Sequence, residues 1–175
     1  PLKRLDDALN LRNALEELFA RSVLGKKIEI VVGGGGYSGV EVAGELAHFL
    51  PKLAHKHKLN ARDLHVVVVE AGPAILPGAH DQVRKMVMHR LLRLGVKVIV
   101  GQKADAAPAD MLVWTAGIKP NSLLETLGDT VSMEKGYLVT EETLQLVGHA
   151  GVYGIGDIVF CFDVKHHCPV AATAQ

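Results

Sequence analysis

The chain has 175 residues, 49% of them hydrophobic, and its 19 Lys and Arg balance its 19 Asp and Glu. Such a length builds one substantial core and parts of a second, and this is an ordinary soluble α/β composition. Balanced charge gives no electrostatic case for nucleic acid as a partner, and no apolar run approaches the ~20 residues of a membrane-spanning helix.

The opening PLKRLDDALNLRNALEELF is charged and amphipathic, unlike a signal peptide, and the start at Pro1 leads us to expect a piece of a longer polypeptide. From Leu5 to Phe19, Ala8, Leu11, Leu15, Leu18 and Phe19 recur at spacings of three and four, which predicts a helix. KKIEIVV reads as a buried strand ending at glycines. A second helix is expected from about Tyr37 to Leu53, closing on the basic tip KLAHKHK. DLHVVVVE is a second buried strand, DQVRKMVMHRLLRLG a third helix stopped by Gly95, and VKVIV a third strand. DMLVWTAG is the fourth. Continuous apolar strands alternating with helices predict a parallel sheet buried on both faces. Beyond it GYLVT and GVYGIGD are short strand-like pieces between turns, so the last third belongs to another structural unit.

Two features invite a metal reading and do not sustain it. His55 and His57, two residues apart at the basic tip, point to different faces of a helix, so the tip is expected to be a solvated helix end, with an acidic lipid surface as the other reading. His166, His167 and Cys168 are adjacent, and neighbours in sequence rarely converge on one ion. The segment from Cys161 to Cys168 reads as a polar loop, without the C-x-x-C redox spacing. No metal is expected.

The chemistry lies in IEIVVGGGGYSGVEVAGEL. Gly34, Gly36 and Gly39 fit G-x-G-x-x-G between a strand and a helix, followed by Ala43. The first glycine allows a tight turn, the second lets the backbone approach a pyrophosphate, and the third lets the helix pack on the sheet. Free N–H groups and the partial positive charge at the helix start favour phosphate. Glu70 ends the second strand, where a carboxylate accepts hydrogen bonds from both adenine-ribose hydroxyls and repels a 2′-phosphate. With no Lys or Arg in EAGPAIL, NADH is expected over NADPH. Glu70 lies further along than the ~20 residues of the usual fingerprint, and its bland alternative is a surface carboxylate at a strand end.

VVGGGGYSGVEVAGEL, VVVVEAGPAILPG, RLGVKV, ADMLVWTAGIKPN, GVYGIGD and PVAATAQ, in that order, resemble the type II NADH dehydrogenases, NADH:quinone oxidoreductases of the pyridine nucleotide-disulfide reductase superfamily. The resemblance covers nearly the whole chain. It implies a Rossmann-like α/β NAD-binding domain and part of a second, FAD-binding domain: 1–22 a connecting amphipathic helix, 23–118 the NAD(H)-binding domain, 119–175 the incomplete flavin segment. It further implies that Gly34, Gly36, Tyr37, Ser38 and Gly39 line the pyrophosphate and nicotinamide side, and that Glu70 holds the adenine ribose. Ala116 and Gly117 would let the nicotinamide pass, and Gly156 and Asp157 of GIGD would bind the FAD ribitol. Ala174 and Gln175 would approach the flavin and quinone. Glu41 lies beside the nicotinamide in this family, a candidate for proton handling; as a bare feature it is a helix carboxylate near a positive N-terminus. The implied partner is a quinone. The implied location is cytoplasmic, or peripheral on the inner membrane face through regions absent here, and a homodimer is allowed. The alternatives are a related reductase using ferredoxin, sulfide or peroxide, and a non-catalytic NAD-binding sensor.

The sequence shows neither the family's first glycine fingerprint for the FAD nor its amphipathic C-terminal anchor, and it has no redox-active cysteine pair like that of the disulfide reductases. The isolated chain is therefore expected to be colourless and inactive. GQKADAAPAD, residues 101–110, also looks too short for a parallel crossover, where the family has a three-stranded antiparallel meander. Residues are expected to be missing there.

Overall fold

The computed structural model describes residues 2, 4–117, 121–163 and 168–172, and it divides into two compact units, Pro1–Gly117 and Ile118–Gln175.

In the first unit the elements run α1 (Leu5–Arg21), β1 (Ile28–Gly33), α2 (Tyr37–Lys56), β2 (Leu64–Glu70), α3 (Asp81–Arg93), β3 (Lys97–Val100) and β4 (Met111–Trp114). The strands form one parallel sheet in the order β3-β2-β1-β4. Side chains alternate along a strand, and here both sets are apolar. Ile30, Val32, Val66 and Val68 face the helices, in one core with Leu15, Leu18 and Phe19 of α1, Leu46, Leu50 and Leu53 of α2 and Leu91 of α3. Val31, Val67 and Val69 fill a second cluster on the other face. The helix α1, set apart in the sequence as a connector, thus packs into the core of this unit.

On the second face no strand of the expected meander occurs among residues 101–110. Instead a single 3₁₀ turn, Ala104–Ala106, lays Ala104 on Val31, Val67 and Val69, with Ala107 packed beside it. Ten extended residues reach about 33 Å, whereas crossing three strand spacings, about 14 Å, and returning about 13 Å along the strands together span about 19 Å. A crossover without a helix is therefore long enough, and small alanines let it lie flat.

The basic tip also differs from a purely solvated helix end. The α2 helix continues through Pro51 to Lys56. Lys56 Nζ lies 2.7 Å from Glu16 Oε1, and His57 Nε2 lies 2.8 Å from Glu16 Oε2, so both are tied to α1. The Lys56 hydrogen bond first, and the His57 one second, hold the Glu16 carboxyl below its ordinary range.

In the second unit β5 (Met133–Glu134), β6 (Tyr137–Val139), β7 (Gly156–Asp163) and β8 (Cys168–Ala172) form a sheet in chain order, around Leu124, Leu138, Leu146 and Val159. Lys135 and Gly136, both at positive φ, make the two-residue turn between β5 and β6. Cys161 and Cys168 lie in the antiparallel partners β7 and β8, with Cys161 opposite Val170 and Asp163 opposite Cys168. The polar-loop reading of this segment is therefore wrong for residues 161–163 and 168; His166 and His167 fall outside the described residues. Among the described residues no helix is long and apolar enough to cross a membrane.

Candidate functional site

The C-terminal ends of β1, β2 and β4 meet at the glycine turn, the place where parallel sheets of this kind bind ligands. Gly34 has φ 109°, a conformation other residues rarely adopt, and its N–H donates to the Val69 carbonyl at 2.9 Å. The Thr115 and Ala116 N–H groups donate to the Gly33 carbonyl at 2.9 and 3.0 Å, and Thr115 Oγ1 donates to the same oxygen. The end of β4 is thereby drawn against the turn.

Each glycine in the fingerprint answers to a different neighbour. A Cβ on Gly34 would come within 2.9 Å of the Ala116 methyl, and one on Gly39 would sit 1.9 Å from the Gly34 carbonyl oxygen. Those two positions are closed by the protein itself. Gly36 is not. Its φ of −71° suits any residue, and a Cβ there would meet nothing within 4 Å. No described residue asks for glycine at this position, and the space beside it is open.

Gly36 is also the N-cap of α2, with no side chain capping it and no acidic residue in the first turn. The first N–H groups of a helix have no intrahelical acceptor. Tyr37 and Ser38, in that turn, are exposed, Tyr37 at 62%. Donors, dipole and open space together fit a phosphate of a dinucleotide.

Glu70 ends β2, half-buried, and its carboxylate faces the turn. The Gly35 N–H donates to Oε2 at 2.6 Å and the Gly72 N–H donates to Oε1 at 2.7 Å. It is no idle surface carboxylate. A carboxylate has about four acceptor positions, so two stay free for ribose hydroxyls.

Gly34, Gly36, Tyr37, Ser38, Gly39, Glu70 and Ala116 thus gather at one end of the sheet, and Gly117 follows at φ 78° with open space around it. Glu41 lies on the exposed side of α2 and lines, with Leu11, Arg12 and Val42, a groove of about 390 Å³ between α1 and α2. Gly156 and Asp157 begin β7 in the other unit, Gly156 at φ 75° and Asp157 exposed. Ala174 and Gln175 lie outside the described residues. Four residues were missed by the sequence reading. Gly35 and Gly72 give N–H groups to Glu70, Thr115 ties β4 to the turn, and Leu76 donates its N–H to the Gly35 carbonyl at 2.7 Å. The available signal was the apolar pair Ile75–Leu76, framed by Pro73 and Pro77 in an otherwise turn-like stretch.

Curated relatives are named type II NADH:quinone oxidoreductase. That of Staphylococcus haemolyticus is 26% identical, covering 99% of this chain and 48% of the relative; that of Staphylococcus saprophyticus is 28% identical, covering 96% and 46%. The chain therefore spans about half the length of these relatives. The S. haemolyticus alignment runs over 195 residues against the chain's 175, so that relative carries residues with no counterpart here. Among solved structures, NDH2 from Plasmodium falciparum in complex with NADH has a TM-score of 0.73 at 21% identity, covering 91% of this chain and 39% of that one. A ferredoxin reductase from Rhodopseudomonas palustris has a TM-score of 0.65 at 19% identity, covering 97% and 40%. These likenesses establish a shared fold. Residues 2–175 match the family described as pyridine nucleotide-disulphide oxidoreductase, and the chain belongs to it.

Proposed function

We propose that this chain is the NADH-binding part of a flavoprotein oxidoreductase that passes hydride from NADH to FAD and electrons onward to a quinone. The observation that carries the nucleotide reading is Gly36, a glycine with neither a conformational nor an internal packing reason to be one, at the uncapped start of α2. The turn's N–H groups would hold the pyrophosphate, Glu70 the adenine ribose, and the small Ala116 and Gly117 would let the nicotinamide pass. Residues 23–118 would act as the NAD-binding domain, joined by 1–22, with 119–175 contributing Gly156 and Asp157 to the FAD site. FAD, when bound, supplies the two-electron acceptor. The quinone rests on the names of the curated relatives.

Titration of the chain with the reduced nucleotides tests the binding half. NADH should bind at least about tenfold more tightly than NADPH, because the Glu70 carboxylate meets either hydroxyls or a second negative charge. Equal affinity would defeat the ribose assignment. NADH oxidation by the protein that contains this chain, with quinone and ferredoxin compared as acceptors, tests the remainder. Turnover with ferredoxin alone would replace the quinone.

A further inference from the structure

The loop after β2 grips the glycine turn by both backbone polar groups of one residue, Gly35. The Gly35 N–H donates to Glu70 Oε2 at 2.6 Å, and the Gly35 carbonyl accepts from the Leu76 N–H at 2.7 Å. A Cβ on Gly35 would lie 2.9 Å from both Glu70 Cβ and Ile75 Cγ2, so the residue is also enclosed sideways. Ile75 and Leu76 are 0% and 1% exposed.

Leu76 does this at a cost. Its φ is 51°, in the left-handed region that a branched, buried residue occupies only when its surroundings enforce it. What enforces it here is burial of the side chain in the main core together with its N–H bond to Gly35. The other end of the grip is anchored too: Glu70 Oε1 accepts from the Gly72 N–H, the Gly72 carbonyl accepts from Gly101, and the Glu70 carbonyl from Gln102. The loop is thereby tied both to the turn and to the segment after β3.

We infer that Glu70 and Leu76 are positioning residues that preset the glycine turn for phosphate, and that Glu70 serves the phosphate end of the ligand as well as the ribose. With Gly35 held on both polar groups, the turn is fixed one residue before the open Gly36 position. No ordering of the turn is then left for the ligand to supply. A second consequence concerns specificity. Exchanging Glu70 for a cation removes the clamp along with the ribose acceptor, so nucleotide preference cannot be switched at position 70.

The structural half is tested on the unliganded chain by amide hydrogen exchange. Glutamine at position 70 keeps one acceptor oxygen and turns an NH₂ toward the other N–H. In Glu70→Gln at least one of the Gly35 and Gly72 amides should exchange about tenfold faster or more, with Val31 and Val68 unchanged. Unaltered exchange at both glycines would overturn the clamp. The ligand half rests on the dinucleotide reading above and is tested with ADP and 2′,3′-dideoxy-ADP, which lacks both adenine-ribose hydroxyls. Glu70→Gln should weaken both, the dideoxy compound by about tenfold. If the dideoxy compound binds variant and parent equally, Glu70 serves only the ribose and the inference fails. If the parent binds neither compound, the dinucleotide reading falls, and hydrogen exchange still decides the clamp. Glu70→Arg should lose affinity for NADH and NADPH alike, and a gain for NADPH would overturn the specificity consequence.

Discussion

Asp110 and Glu29 exchange two hydrogen bonds across the start of the sheet: the Asp110 N–H donates to the Glu29 carbonyl at 2.9 Å, and the Glu29 N–H donates to Asp110 Oδ2 at 3.0 Å. Lys26 Nζ adds a contact to Oδ1 at 3.1 Å. The side chain thus fastens the return of the crossover to β1 before β4 begins. The Glu29 N–H first, and Lys26 second, hold the Asp110 carboxyl below its usual range.

Asp110→Ala should therefore cost about 1 kcal/mol at neutral pH, a charged hydrogen bond discounted for its partial exposure. The sign with pH follows from the lowered pKa. The contribution is fully present above the ordinary aspartate value and fades as pH falls through the lowered one. Denaturant titrations at pH 7 and in acid should show the gap between parent and variant shrinking in acid. A gap that widened there would exclude the ionised form as the stabilising one.

Glu16 should behave the same way, with salt as the added probe. Its partners Lys56 and His57 sit at the surface end of α2, where added salt screens charge. Glu16→Gln should lower stability at neutral pH, less so in high salt, and not at all once Glu16 is protonated. An effect of unchanged size in high salt would assign it to the short-range hydrogen bonds with Lys56 and His57 and not to screened charge.

Gly36 and Gly39 separate binding from folding. A methyl at Gly39 would drive into the Gly34 carbonyl and lie 2.9 Å from Thr115 Oγ1, both fixed by the sheet. Gly39→Ala should cost about 3 kcal/mol or more, or prevent folding. Gly36→Ala should change stability by less than about 1 kcal/mol, since it meets nothing. Its NADH affinity should fall at least about tenfold, the scale of a backbone–phosphate approach that is blocked. Unimpaired NADH binding by Gly36→Ala would remove the main support for the nucleotide site.

Much of the first unit was legible because a parallel strand buried on both faces has to be an apolar run, and IEIVV and VVVV are such runs. The fingerprint was legible because its spacing joins a strand to a helix. The clamp was not. Leucine carries no mark of a positive φ, and Leu76 holds one only because the core and the turn enforce it. Nor could the Glu16 contacts be read, since they join residues on two helices that the sequence describes only as amphipathic. The strands β7 and β8 were obscured by the Asp, Lys and His residues between their paired ends.

The packing of the crossover yields a sharp test. Ala104 is 5% exposed, and its methyl lies 3.0 Å from where a Cβ on Gly33 would be. A small residue on the strand faces a small residue on the crossover, a pairing that only tertiary contact reveals. Ala104→Leu should cost about 1–3 kcal/mol by overpacking, and Ala107→Leu less, because Ala107 is only half-buried. Gly33→Ala should destabilise too, through the same contact and through the Trp114 ring at 3.1 Å. Combining Gly33→Ala with Ala104→Gly removes the first clash and leaves the second. The double variant should therefore be more stable than the two single effects added together, by about 0.5 kcal/mol or more. Strict additivity would mean that residues 101–110 do not lie on the sheet, and the bare face of Val31, Val67 and Val69 would then need another cover.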